Sequence, residues 1–134
     1  HTAVAAVSGQ VEAELAELSD AEAQEFLASY GLKESAVARL IRSSYRLLGL
    51  ISFFTVGEDE CRAWTLRAGQ TALEAAGEIH SDIQRGFIRA EVVKYDDLVA
   101  SGGLGEARAH ALLRLEGKEY IVQDGEVVHF RHSG

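Results

Sequence analysis

Leu50-Ile-Ser-Phe-Phe-Thr-Val56, Arg62-Ala-Trp-Thr-Leu-Arg67 and Thr71-Ala-Leu-Glu-Ala-Ala-Gly77 follow one another with only short joints between them. The first run is rich in β-branched and aromatic residues, and the second alternates around Trp64 and Leu66, so both read as strands. Gly57-Glu-Asp-Glu60 between them reads as a turn, which makes the pair a hairpin. The alanine-rich run, roughly Ala72 to Ala76, reads as a short helix closed by Gly77.

Downstream, Ser81-Asp-Ile-Gln84 has the spacing of a capping box, with Ser81 as N-cap, and Gly86 stops that brief helix. Phe87 to Tyr95 is a strong strand, Asp96 can start another helical turn, and Ser101 to Gly105 reads as a plain linker. Tyr120 to Gln123 and Glu126 to Arg131 flank Asp124-Gly125, a dipeptide suited to a type I′ turn, so a second hairpin is expected there. Two hairpins and a fifth strand, with the Thr71 to Gly77 helix covering one face, give an α+β unit with the layout of a β-grasp, ubiquitin-like module.

Upstream of Leu50 the periodicity is helical. Val11, Leu15 and Leu18 fall at i, i+4 and i+7. Ser19 or Asp20 can cap a second helix, in which Ala23, Phe26, Leu27 and Tyr30 share a stripe that ends at Gly31. Ser35 can cap a third, with Val37, Leu40, Ile41, Tyr45 and Leu48 on its apolar side and Gly49 as its stop. Arg39, Arg42 and Arg46 lie opposite that stripe and read as a solvated face pairing with carboxylates between Glu12 and Glu25. Thr2 to Val7 reads as a short buried strand that turns at Ser8-Gly9. A buried parallel strand needs neighbours on both sides, so its sheet is expected to lie upstream.

At 134 residues, with 47% apolar and 25% charged side chains, the chain can build a packed core. No run approaches the roughly 20 apolar residues of a membrane span, and no signal peptide is visible, so no membrane partner and a cytoplasmic location are expected. Cys61, the single cysteine, excludes an internal disulfide and a thiolate cluster. The net charge of −8 is spread over both parts of the chain, so any contact with nucleic acid must come from a local patch.

No G-x-x-x-x-G-K-[ST] stretch occurs, so a phosphate cradle with a lysine is missing from this sequence. The five histidines show no H-E-x-x-H spacing, and no local motif supports a Ser-His-Asp triad; neither metal nor catalytic residues are assigned. The Gly77 to Glu91 segment carries the most chemistry. It is a capped turn that delivers Phe87 into the core and is expected to leave Arg85 and Arg89 near each other. His80 and Asp82 flank a helix N-terminus, where backbone N–H groups attract anions. His80, Asp82, Arg85, Phe87 and Arg89 are therefore the candidate RNA or ligand contacts. Arg62, Arg67 and Arg131, interleaved with Trp64 and Phe130, could extend that surface by stacking.

The string Ile79 to Glu91, with Phe53-Phe-Thr-Val-Gly57, Arg62 to Arg67 and Tyr120 to Gly125, resembles the C-terminal TGS domain of the YchF/Obg-like ATPase family. The resemblance implies that residues 1–52 are the last strand and closing helices of a P-loop G domain, and 53–134 a β-grasp TGS domain. It implies Ser8 and Gly9 as the remnant of the loop that contacts the purine base. It also implies a longer parent that binds and hydrolyses ATP or GTP with Mg²⁺, no cofactor within this chain, and partners in the ribosome or RNA and in the upstream G domain. The alternative is a free-standing ubiquitin-like carrier, although the sequence ends His132-Ser-Gly134 with a single glycine.

Overall fold

A computed structural model of the chain describes residues 2–57 and 60–133. It divides into two compact units, His1–Leu48 and Gly49–Gly134.

The first unit is helical: α1 (Gly9–Leu15), α2 (Asp20–Ser29) and α3 (Ala36–Leu47). Ser8 caps α1, its hydroxyl accepting the Val11 N–H. Glu22 accepts from both the N–H and the hydroxyl of Ser19 at the start of α2. The α3 start is held twice. Ser35 accepts the Ala38 N–H at 3.1 Å, and Glu12 of α1 accepts the Ala36 and Val37 N–H groups at 2.7 and 3.3 Å. Glu12 thus ties two helices together through a helix N-terminus, where negative charge is favoured.

Two expectations fail in this unit. Thr2 to Val7 forms no strand and is exposed throughout, because no strand among the described residues lies beside it to take its backbone hydrogen bonds. The arginines of α3 also pair differently. Arg39 donates to the Ala6 carbonyl, and Arg42 pairs with Glu34 at 2.8 Å rather than with the acids between Glu12 and Glu25.

The second unit contains β1 (Leu50–Val56), β2 (Cys61–Arg67), α4 (Ala72–Ile79), α5 (Ser81–Arg85), β3 (Phe87–Lys94), α6 (Tyr95–Ser101), α7 (Leu104–Ala109), β4 (Arg114–Glu116) and β5 (Glu126–His132). Because β1 starts at Leu50, the boundary expected between Ser52 and Phe53 falls inside a strand. The five strands form one sheet in the order β2-β1-β5-β3-β4. The β1–β2 hairpin pairs in register from Leu50↔Arg67 to Val56↔Cys61; its turn includes residues 58 and 59, which lie outside the described residues. β1 meets β5 in parallel at Phe54↔Val127, and β3 is antiparallel to both β5 and β4.

The expected second hairpin does not form. Gly125 is left-handed (φ +79°), but Asp124-Gly125 clasps β1: the Asp124 Oδ1 accepts the Ser52 N–H, and the Gly125 N–H donates to the Ser52 carbonyl, each at 2.8 Å. Residues 120–123 turn instead to the start of α4. There the Ala72 N–H donates to the Tyr120 carbonyl, and Thr71 bridges Ile121.

Gly77 does not close α4, which continues to Ile79. A Cβ at Gly77 would sit 2.7 Å from Nε2 of Gln84, so its role is close packing between α4 and α5. The Ser101–Gly105 linker is a tight joint between two helices, with Gly102 ending α6 at φ +87°.

Alternation along the strands gives the sheet two buried faces. One is covered by α4: Phe53, Leu66, Val92, Val122, Val128 and Phe130 pack on Ala72, Ala75 and Ala76. The other is partly covered by α6 and α7, with Val93 and Val127 against Leu98 and Ala107. Among the described residues, no helix is long and apolar enough to cross a membrane.

Candidate functional site

The His80–Arg89 segment joins α5 to β3, and its side chains reach separate neighbours. His80, not Ser81, is the N-cap of α5; its Nδ1 accepts the Asp82 N–H at 3.1 Å. The ring takes that N–H, and the Asp82 carboxylate sits in the same turn, so an incoming anion would meet a negative charge there. Arg85 is paired with Asp82. Phe87 lies against the α4-side core, 6.1 Å from the ring of Phe130. Arg89 is exposed on β3, with Nη1 close to Gly117 at the end of β4. Arg85 and Arg89 therefore do not form a joint site.

Of the wider aromatic and basic set, Arg62 lies over the Trp64 ring at 4.5 Å, and the indole N–H donates to Thr55 at 2.9 Å. Phe130 is only 7% exposed, which removes it as a stacking platform. In the first unit, the Ser8 hydroxyl is spent on capping α1. Gly9 has open space around its Cα, so its backbone is what a planar ring could approach.

Two buried carboxylates went unnoticed in the sequence. Glu91 is 7% exposed and Glu126 2%, which charged groups reach only when paired. Glu91 stands on the α7 side of the sheet, held by Arg108 of α7 at 3.2 Å and by Arg131 of β5. Glu126 accepts from Arg114 at 2.6 Å, from the Tyr120 hydroxyl at 2.7 Å and from the Gln123 N–H at 2.9 Å. Burial, followed by the hydrogen bond to Glu126 and then its charge, raises the Tyr120 phenol above its ordinary range. Burial alone would lower the Arg114 pKa, but Tyr120 and Glu126 outweigh it and the net direction is up. The readable signal was an acid at a strand position flanked by valines: Glu91 before Val92-Val93, and Glu126 before Val127-Val128.

Two open grooves flank these features. One, about 370 Å³, runs past Phe54, Tyr95, Arg114 and Glu126. The other, about 460 Å³, lies between the diverging ends of β1 and β5, beside Trp64, Ile83 and His132. Among the described residues no group of three or more His, Cys, Asp or Glu side chains is placed to hold a metal ion.

Comparison with known proteins gives these observations a family. Residues 50–133 match the family model YchF-GTPase_C, described as a protein of unknown function (DUF933). The chain is 55% identical over 130 residues to the "Ribosome-binding ATPase YchF" of Bacillus subtilis, covering 97% of this chain and 36% of that protein. It is 51% identical to the protein of the same name from Haemophilus ducreyi, with the same coverage. The structure of the Schizosaccharomyces pombe YchF GTPase superposes with a TM-score of 0.77 at 34% identity, over 93% of this chain and 33% of that one. The chain thus spans about a third of the length of the relatives it matches. With the whole β1-to-β5 sheet inside the matched residues, the chain belongs to the YchF-GTPase_C family and corresponds to the C-terminal part of YchF proteins.

Proposed function

We propose that this chain is the C-terminal part of a YchF-type, translation-associated ATPase or GTPase, and that its second unit is a β-grasp TGS module through which the protein contacts the ribosome. The observation that carries this reading is the match along 97% of the chain to proteins named ribosome-binding ATPases. The self-contained core of the second unit supports it, since a contact module must hold its own shape.

The first unit then completes a nucleotide-binding G domain supplied by upstream residues. Its α3 supports this, with Val37, Leu40, Ile41, Leu47 and Leu48 exposed along an amphipathic helix. ATP or GTP with Mg²⁺ is bound mainly by that upstream part. On this reading the Ser8-Gly9 backbone would contribute a contact to the base, and the nucleotide supplies the phosphoanhydride that is hydrolysed. The setting is the cytoplasm.

The test has two arms. Sedimentation through a sucrose cushion with ribosomes at low salt is expected to carry the chain into the ribosome pellet; its absence there overturns the contact role. Calorimetry with Mg²⁺-ATP is expected to give no micromolar binding, and such binding would place the nucleotide machinery inside this chain.

A further inference from the structure

We infer that the α7-side face of the sheet carries a site for the phosphodiester backbone of RNA, built by Arg89, Arg108 and Arg131 around the buried carboxylate of Glu91. The inference rests on the ribosome-contact reading above and locates the contact.

Arg89 and Arg131 are register partners on β3 and β5, so their side chains leave the sheet on the same face. Directly opposed like charges weaken a sheet, and this pair is only partly compensated. Glu91, two residues along β3 on the same face, binds Arg131 and also draws in Arg108 from α7. Its side chain is 8% exposed, while those of Arg108 and Arg131 are 59% and 52% exposed. The carboxylate therefore sits beneath the guanidinium groups as an anchor and leaves their outer edges open. Arg89 makes no ion pair among the described residues, is exposed and lies close to Gly117.

Three guanidinium groups against one carboxylate leave a local surplus of positive charge in a chain whose net charge is −8. At physiological salt the Debye length is about 8 Å, so the distant acids are screened and the local surplus governs contact. Guanidinium forks suit phosphate oxygens geometrically. The aromatic residues Trp64, Phe87 and Phe130 belong to the opposite, α4-side cluster, so none of these three can stack a base beside the arginines. The face reads backbone charge and not sequence.

The test is fluorescence anisotropy with a labelled single-stranded RNA of about 12 nucleotides, within the range that compact modules cover, using the 134-residue chain. A surplus of two charges predicts a slope of log K against log salt near −1.4, since each neutralised phosphate of a single strand contributes about −0.7. Arg89→Ala is expected to weaken binding several-fold and flatten the slope by about 0.7, with an unchanged melting curve. Arg89→Lys is expected to restore the slope, and shuffling the RNA sequence to change nothing. No RNA binding at low salt, or binding indifferent to Arg89→Ala and to Arg89→Ala/Arg108→Ala, overturns the site. Tighter binding of a phosphoserine peptide than of RNA, through the same arginines, overturns RNA as the ligand. Sedimentation with ribosomes, run in parallel, separates the two readings. Ribosome binding unchanged by both variants overturns this site and leaves the ribosome reading standing. RNA binding with the predicted slope but no ribosome binding overturns the ribosome reading and leaves the site.

Discussion

The two units use the same local devices and reach different ends. Each has a helix whose N-cap residue shares its hydrogen bonds with an acid three residues on, Ser19 with Glu22 and Thr71 with Glu74. Each also ends a helix on a left-handed glycine, Gly31 at φ +68° and Gly102 at φ +87°. Burial separates them. Among the described residues, Ala36 is the one buried hydrophobic of the first unit, whereas the second encloses Phe53, Leu66, Val92, Val93, Val122 and Val128. Capping and propensity shape a helix, but stability comes mostly from packing its apolar face, and α3 leaves that face open.

The most drastic test of this contrast is to separate the units. Residues 49–134 alone are expected to unfold in urea in one cooperative transition, followed by circular dichroism. Residues 1–48 alone are expected to lose helical signal gradually, and a sharp transition there would break the comparison. Within the chain, Phe53→Ala, at a position with 0% exposure, is expected to cost about 3–5 kcal/mol. Ile41→Ala, at 57% exposure, should change the unfolding free energy by no more than about 0.5 kcal/mol. Similar costs for the two would show that α3 is packed in solution.

Ion pairs sharpen the contrast further. Arg114→Met leaves the buried Glu126 without its cation and is expected to destabilise by about 1–3 kcal/mol. Arg42→Met, removing an exposed partner of Glu34, should stay within about 1 kcal/mol. Loss of a cap falls in the same range as loss of that exposed pair. Thr71→Ala is expected to cost about 1 kcal/mol. Hydrogen bonds from Thr71 hold the Glu74 pKa below its usual value, as those from Ser19 do for Glu22. The sign follows: the caps contribute fully above the ordinary glutamate pKa of about 4.3 and fade as pH falls through the lowered values. Thr71→Ala should therefore cost less in acid, because its hydroxyl bond to the Glu74 carboxylate fades there while the Glu74 N–H bond it also removes does not titrate; a pH series of urea midpoints would reveal the decrease.

Much of this fold was legible because its signals are local. Ser35 and Gly49 bracket α3, β-branched and aromatic residues mark β1, and the Phe87–Lys94 strand follows directly on Gly86. What escaped was decided at a distance. Asp124-Gly125 has the chemistry of a tight turn, but its partner is Ser52, 72 positions earlier. Gly77 has the composition of a helix stop, but Gln84 packs where its side chain would be. The candidate contacts were found as a capped segment, His80 to Arg89. The grouping of Arg89 with Arg108 and Arg131 was hidden because α7 carries no strong periodicity and Glu91 lies 17 residues from Arg108.

The parallel pairing of β1 with β5 has a mechanical consequence. Since the two strands run the same way, the entry to the unit at Gly49 and the exit after His132 lie toward opposite ends of the sheet. Tension applied between them would slide one strand along the other, loading the Phe54–Val127 junction and the Ser52 clasp together instead of peeling contacts away singly. A module held at these two ends would resist being drawn out like a thread.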